Sequence, residues 1–358
     1  MKKLFLKLSL FIPIILVIVG FNYFMDPANL FSKGKYEYGI AKLISENNNV
    51  ANLTNCDERI LQKYISEMIK TKYDIMVLGS SRTMTIGNNL LEGKVFNKSV
   101  SGCSLEDLMS VYWVTRKADS LPKTIIVNLD PWVLNKNNNQ TRYKSLQVEY
   151  DEIIDFMSLE KENITITDYI PEKLLHLFSF TYFRESLKAF AKKFTNNKEE
   201  SYYPTKDSSL EVSLKLVDGS WINKKQEKET SLERANQKAI NYANESPIYS
   251  LGNFKKISKD NQERFEKLIS LMLKDNIKIV FLLTPYHPYV YNKLVNSEDY
   301  KIIVDVQKYF QKFASENNIK FIGSYNPTDL NLAEKDFIDG MHLRSESFKI
   351  FLNNDLIK

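Results

Sequence analysis

The sequence predicts an α/β fold built on a doubly wound parallel sheet, preceded by an apolar span and interrupted by a long insertion. Two observations carry this. Helix-spaced apolar patterns alternate with short strand-like runs, from about residue 60 to 130 and again from about 263 to the end. The strand-like runs are continuously apolar, as in strands covered on both faces, and each ends in glycine or polar turn residues.

The first segment differs in kind from the rest. Lys2, Lys3 and Lys7 precede an apolar run from Leu8 to Phe24, broken by Ser9, Pro13, Gly20 and Asn22. A helix from Leu4 to Phe24 would be about 30 Å long at roughly 1.5 Å per residue, which matches a bilayer core. The run ends in Asn22-Tyr23-Phe24-Met25-Asp26-Pro27, which lacks the small residues of a cleavage site. The expectation is an uncleaved signal anchor over residues 1–25. By the positive-inside rule its lysines stay in the cytoplasm and residues 26–358 lie outside the cell membrane.

The elements then follow in order. Ile60, Leu61, Tyr64, Ile65, Met68 and Ile69 recur at helical spacing, and Asp74-Ile-Met-Val-Leu-Gly79 reads as a buried strand. Val95-Phe-Asn97 reads as a second strand. Ser104 caps a helix from Leu105 to Arg116, with Asp107 completing a capping box. Thr124 to Asp130 is the clearest strand. After the insertion, Glu263 to Lys274 is a helix, Ile277 to Leu283 a strand, Tyr300 to Asn317 a helix, Ile319 to Ile322 a strand, and Ser345 to Asn353 a closing helix. The insertion, about residues 135–255, breaks this rhythm. It holds an aromatic-rich helical stretch from Leu174 to Phe194 and a hairpin from Val212 to Val217 that turns at Asp218-Gly219, with Trp221 after it. Its expected role is to cover or line the site.

Composition narrows the function. The 43% hydrophobic content, with 21 Phe and 20 Tyr, gives the 358-residue chain apolar surface enough for a large core, and excludes disordered and collagen-like classes. The formal net charge is +5, of which the anchor lysines carry three. The exported part is therefore nearly neutral, which argues against a nucleic-acid groove. Two cysteines, Cys56 and Cys103, suit an exported protein that does not rely on disulfides, and their spacing leaves open whether they pair. Neither a Cys-x-x-Cys nor a His/Cys cluster calls for a metal, and no motif calls for a cofactor. Of the three histidines, His176 sits among Leu174, Leu175, Leu177 and Phe178 and reads as packed or hydrogen-bonded rather than as a catalyst.

The strand ends suggest the chemistry. Gly79-Ser80-Ser81-Arg82 places hydroxyls on the turn after the first strand, where backbone N–H groups can face an anion. Gly102 follows the second strand in Ser101-Gly102, and Asn128-Leu-Asp130-Pro131-Trp132 follows the third. Asp339-Gly-Met-His342 sets a carboxylate three residues ahead of an imidazole. A carboxylate so placed fixes the imidazole tautomer, so that the other nitrogen takes a proton from serine. Arg82 could pair with an anionic substrate or brace the fold. His287, in Thr284-Pro-Tyr-His287-Pro, could reach a pocket or form a rigid turn. Ser80 is the rival nucleophile.

These residues resemble the SGNH (GDSL-like) hydrolase superfamily. Gly79-Ser80-Ser81 looks like its first block, Gly102 like its oxyanion glycine, and Asp339-Gly-Met-His342 like its final Asp-x-x-His. The resemblance implies a three-layer α/β/α sandwich of flavodoxin-like type. Ser81 would be the nucleophile, with His342 as its base and Asp339 behind it, and the N–H groups of Ser81 and Gly102 would hold the oxyanion. The third block departs, because Asn128-Leu-Asp130 stands where the family has Gly-x-Asn-Asp. Within the superfamily the chain is similar to the accessory protein of teichoic acid D-alanylation and to the SGNH-like proteins of alginate O-acetylation. That likeness implies an acyltransferase or esterase acting on acetyl or D-alanyl esters of an envelope polysaccharide or teichoic acid, beside a membrane-bound O-acyltransferase. The alternative is a catalytically silent accessory to such an enzyme, which the altered third block favours.

Overall fold

Five short apolar runs lie side by side as a parallel sheet, and everything that positions the site hangs from its carboxyl edge. The computed structural model describes residues 12–27, 31, 34–160, 172–194 and 202–352. In chain order the elements begin with α1 (Ile12–Met25), α2 (Lys35–Ser45), β1 (Asn49–Ala51), α3 (Glu58–Met68), β2 (Ile75–Leu78), β3 (Val95–Asn97), α4 (Leu105–Lys117) and β4 (Thr124–Asn128). The insertion contributes α5 (Gln147–Phe156), α6 (Glu172–Leu177), α7 (Phe180–Phe194), β5 (Tyr203–Thr205), β6 (Ser213–Lys215), β7 (Trp221–Asn223), α8 (Lys224–Glu229) and α9 (Leu232–Ala243). The chain closes with α10 (Lys259–Lys274), β8 (Lys278–Leu283), α11 (Pro288–Val295), α12 (Ile302–Glu316) and β9 (Lys320–Gly323).

The main sheet has the order β3-β2-β4-β8-β9, with every pair parallel. Side chains alternate across it, so neighbours in sequence enter different cores. Met76, Leu78, Ile125, Val127, Phe281 and Leu283 pack with apolar residues of α4, α10 and α12. Ile75, Val77, Ile126, Val280 and Leu282 pack on the other face with Ile86, Leu91, Phe337, Leu343 and Phe348. The second face is therefore covered by turns, and one of those turns carries Asp339 and His342. Burying each such Leu, Ile or Phe is worth about 1.5–3 kcal/mol.

Most predicted elements form where the sequence places them, including the Ser104–Asp107 capping box of α4. The differences have local causes. Ser345–Ile350 is a 3-10 turn rather than a closing α-helix, because Ser345 Oγ donates to Glu227 and Ser347 Oγ to Asp336 at 3.1 Å, tying the segment to neighbours. The Leu174–Phe194 stretch is two helices, broken at Phe178-Ser179, and His176 is exposed beside Tyr182 rather than packed. Cys56 and Cys103 are both free thiols. The predicted hairpin forms, with Leu214 opposite Ile222, but joins an antiparallel sheet of order β5-β1-β6-β7 that the sequence did not announce. Among the described residues no helix is long and apolar enough to cross a membrane. The described part of the expected anchor is the 14-residue α1, and residues 1–11 lie outside the described range.

Immediately after β3, Lys98 is buried and donates to Ser66 Oγ at 2.5 Å on α3 and to Thr115 Oγ1 at 2.9 Å on α4. Burial without a carboxylate partner pushes its ammonium down to about 7. Below that pH both folded and unfolded chains hold the proton and the full burial penalty applies. Between about 7 and the ordinary lysine value of about 10.4 only the unfolded chain holds it, so stability rises with pH by up to about 1.4 kcal/mol per unit. Urea midpoints at pH 6 and pH 9 are expected to differ in that sense. Lys98→Met is expected to raise the pH 6 midpoint and remove this part of the slope; a midpoint unchanged or lowered at pH 6 would contradict the assignment.

Candidate active site

The turn after β2 is shaped by close approach. A Cβ on Gly79 would stand 2.4 Å from Asn128 Cβ and 2.9 Å from Thr83 Oγ1, so only glycine lets β2 end this near β4. Ser80 then caps the 3-10 turn Ser81–Thr83, its Oγ accepting from Arg82 N at 3.2 Å. Asn97, at the end of β3, donates to the carbonyls of Thr83 and Ile86, both at 2.7 Å, and clamps the far side of the turn. This leaves Ser81 half-buried with its hydroxyl outward, while Ser80 is buried and donates to Asn128 Oδ1 at 3.3 Å. Ser80 is thus a structural cap rather than a second nucleophile.

The loop from Phe337 to Leu343 is closed at its base. Phe337 and Leu343 pair as an antiparallel bridge with both side chains in the second core, and Ile338 N donates to His342 O at 3.0 Å. Inside the loop the N–H groups of Met341 and His342 both donate to Asp339 Oδ1 at 2.9 Å. The same carboxylate meets His342 Nδ1 at 3.0 and 2.9 Å. His342 Nε2 lies 2.9 Å from Ser81 Oγ, across 261 residues of sequence. Burial works to raise Asp339, but the His342 imidazole and the two N–H groups outweigh it and hold the carboxyl at about 2. With Asp339 ionised, Nδ1 carries the proton that bonds it, and Nε2 is free to accept from Ser81 Oγ–H. Ser81, His342 and Asp339 therefore stand together as the sequence expects.

The other expected site residues do not face them. Arg82 is fully buried: Nη1 donates to Asp130 Oδ1 at 2.8 Å, Nη2 to the carbonyls of Thr284 and Pro285 at 2.6 and 2.8 Å, and Nε to Met341 O at 3.1 Å. The Tyr286 ring covers it at 4.3 Å. Burial opposes its charge and Asp130 more than restores it, so Arg82 stays cationic and spent on internal partners, not on a substrate. Asp130 is spent in the same pair. The Asn128 amide donates to Leu282 O at 3.2 Å and Thr284 Oγ1 at 3.4 Å, and so points into the sheet end. His287 caps α11: Nδ1 accepts from Tyr289 N at 3.2 Å, Nε2 meets Asn236 Oδ1 at 3.2 Å, and burial lowers its basicity. Gly102 has the left-handed φ of +58° at the turn before α4, where a Cβ would strike Arg142, Tyr249 and Gln140. The N–H groups of Ser81 and Gly102 have no partner among the described residues.

Ser81, Asp339 and His342 open into a cleft of about 320 Å³. Its opposite wall comes from the insertion: Ser213 and Trp221 of the hairpin, Asn223, and Gln226 and Glu227 of α8. The hairpin is docked there by its turn. Gly219, at φ +75°, leaves no room for a Cβ against Asn97 O, Asp218 O accepts from Asn97 N at 2.7 Å, and Trp221 N donates to Met84 O at 2.7 Å. Glu58 and Ser101 also line the cleft, and Ser101 gives both its N–H and its hydroxyl to Glu58. Sequence reasoning missed Glu58, whose only signal is its place in the first turn of an ordinary helix. Among the described residues no three His, Cys, Asp or Glu side chains are grouped to hold a metal ion.

The family described as "Protein of unknown function (DUF1574)" has a model that matches residues 4–353. The chain belongs to the DUF1574 family. That match runs through the apolar N-terminus, both halves of the sheet and the whole insertion, so in this DUF1574 protein the cleft and its insertion wall are parts of one family unit. No curated protein and no solved structure matches the chain.

In this DUF1574 protein, removing the guanidinium strands a buried carboxylate. Arg82→Ala is expected to cost about 3–5 kcal/mol in urea unfolding, and adding Asp130→Ala to recover part of it. Strictly additive losses in the double variant would show that the pair is not coupled.

Proposed function

We propose that this chain is a membrane-anchored, extracytoplasmic serine acyltransferase or esterase of the SGNH type, acting on ester-linked acyl groups of a cell-envelope glycopolymer. The observation that carries the reading is the Ser81–His342–Asp339 relay at 2.9 and 2.9–3.0 Å. The sheet order supports it. The chain passes from β2 to β3 on one side and then crosses back over β2 to β4 on the other, and open α/β sheets place ligands at such a reversal of strand order. Helices cover one face of the sheet, while turns cover the other, where that superfamily's three-layer sandwich has helices.

The chemistry follows from the relay. Ser81 Oγ attacks the ester carbonyl carbon while its proton passes to His342 Nε2, and Asp339 stabilises the imidazolium so formed. The tetrahedral intermediate collapses as the carbon–oxygen bond to the leaving alcohol breaks, and His342 returns the proton to that alcohol oxygen. A sugar or polyol hydroxyl, or water, then attacks the acyl carbon and gives its proton to His342, which returns it to Ser81 Oγ as the acyl–Oγ bond breaks. The unpartnered N–H of Ser81, on the cleft wall, is the candidate for holding the oxyanion; Gly102, which the resemblance also implies, is not among the residues lining the cleft. The exported side follows from Lys2, Lys3 and Lys7 before the apolar span, and a membrane-bound O-acyltransferase is the partner that the resemblance implies. A silent, polymer-positioning accessory is the second reading. It is favoured by the Asn128 amide, which is committed to Leu282 and Thr284 instead of facing the cleft.

A fluorophosphonate probe with the full chain in membranes separates the two. Labelling is expected at Ser81, absent in Ser81→Ala and retained in Ser80→Ala. Hydrolysis of an acetyl ester is expected to fall about 10⁴-fold in Asp339→Asn. No labelling, no ester cleavage, and envelope acylation unchanged in cells carrying Ser81→Ala would overturn the enzyme reading.

A further inference from the structure

The aromatic helices of the insertion turn away from the sheet and attach to the N-terminal helix. Phe21 of α1 meets Phe183 and Phe190 of α7 edge to face, with centroids 5.6 and 5.7 Å apart. Asn22 Nδ2 donates to Leu177 O at 2.8 Å, and Tyr182 Oη donates to Asp26 Oδ1 at 2.8 Å. Asn22 and Ser186 are sealed between the helices, the kind of small or polar contact that joins helices within lipid. These contacts fall on residues 21–26, at the end of α1 nearest the sheet domain.

Beside this seam lies an apolar surface. Leu175, Phe178, Phe180 and Leu187 are 61, 64, 76 and 45% exposed. It continues onto α1, where Leu16 and Val17 are 64 and 70% exposed. At 3.6 residues per turn Phe180 and Leu187 share one stripe of α7, Tyr182 and Ser186 the stripe against α1, and Arg184 and Lys188 the next stripe round. The helix thus shows a protein face, an apolar face and a cationic face, with Glu185 bridging Arg184 and Lys188. Such a helix beside the end of an apolar span matches the lipid–water boundary, with acyl chains below and phosphate headgroups level with the cations.

We infer that α6 and α7 lie in the membrane interface beside α1, with Leu175, Phe178, Phe180 and Leu187 against lipid acyl chains. This rests on reading α1 as part of a membrane anchor. The insertion then does two jobs: its later part walls the cleft, and its aromatic helices hold the domain close to the bilayer surface.

The test uses the full chain in a Cys56→Ser background, reconstituted in vesicles of phosphatidylglycerol and phosphatidylethanolamine. With Cys103→Ala added to that background, single cysteines at Val17, Phe180, Leu187 and, as an aqueous control, the exposed Glu263 carry an environment-sensitive fluorophore. Spin-labelled lipids with shallow nitroxides then quench whichever probes meet acyl chains. Quenching of about twofold or more at Phe180→Cys and Leu187→Cys, with Glu263→Cys unquenched, is expected. Quenching at Val17→Cys alone would overturn the interfacial placement and leave the anchor standing. Quenching at Phe180→Cys and Leu187→Cys without Val17→Cys would overturn the anchor reading and with it the placement beside a membrane-inserted α1. Quenching at none would overturn both.

Discussion

The buried Arg82 guanidinium is the interaction on which the rest of the site depends. A cation out of water is tolerable only if its charge and donors are matched, and here Asp130, three backbone carbonyls and the Tyr286 ring do so. Its partners come from the turns that follow β4 and β8 and from the loop that carries the histidine. Because Arg82 follows Ser81 and Met341 precedes His342, the bond from Arg82 Nε to Met341 O ties the two ends of the Ser81–His342 pair with one side chain. The 2.9 Å separation of Ser81 and His342 follows from that brace.

The same economy explains why the polar residues after β4 do not face the cleft. Asn128 joins the turn after β2 to the end of β8, and Asp130 neutralises Arg82. Their chemistry is spent on holding three strand ends in register. In the proposed mechanism the oxyanion would then be left to a backbone N–H group. The second wall of the cleft, from Ser213 to Glu227, adds Trp221, polar amides and a carboxylate opposite Ser81 and His342.

Much of the fold was legible because strand and helix patterns are local. The apolar runs of β2, β4 and β8 and the Ser104–Asp107 box announce themselves within ten residues. The relay was legible for the same reason: Asp339 and His342 are three residues apart, and Ser81 sits on a glycine turn. What stayed open were residues whose role depends on distant partners. Arg82, Asn128, Asp130 and His287 are polar groups at strand ends, and a sequence cannot say whether such a group turns inward or toward solvent. The small sheet was hidden because β1 is three residues long and gains its stability from β5 and β6, more than 150 residues away.

The sequence by itself determined the alternation of elements, the apolar N-terminal span, the Asp-Gly hairpin and the identity of the serine, histidine and aspartate, because each is written in spacings of a few residues. Only the tertiary structure decided which polar side chains are free to act. That choice is set by competition for buried hydrogen-bond partners, and a buried guanidinium, a capped helix and a crossing strand each settle it through contacts that no local pattern records.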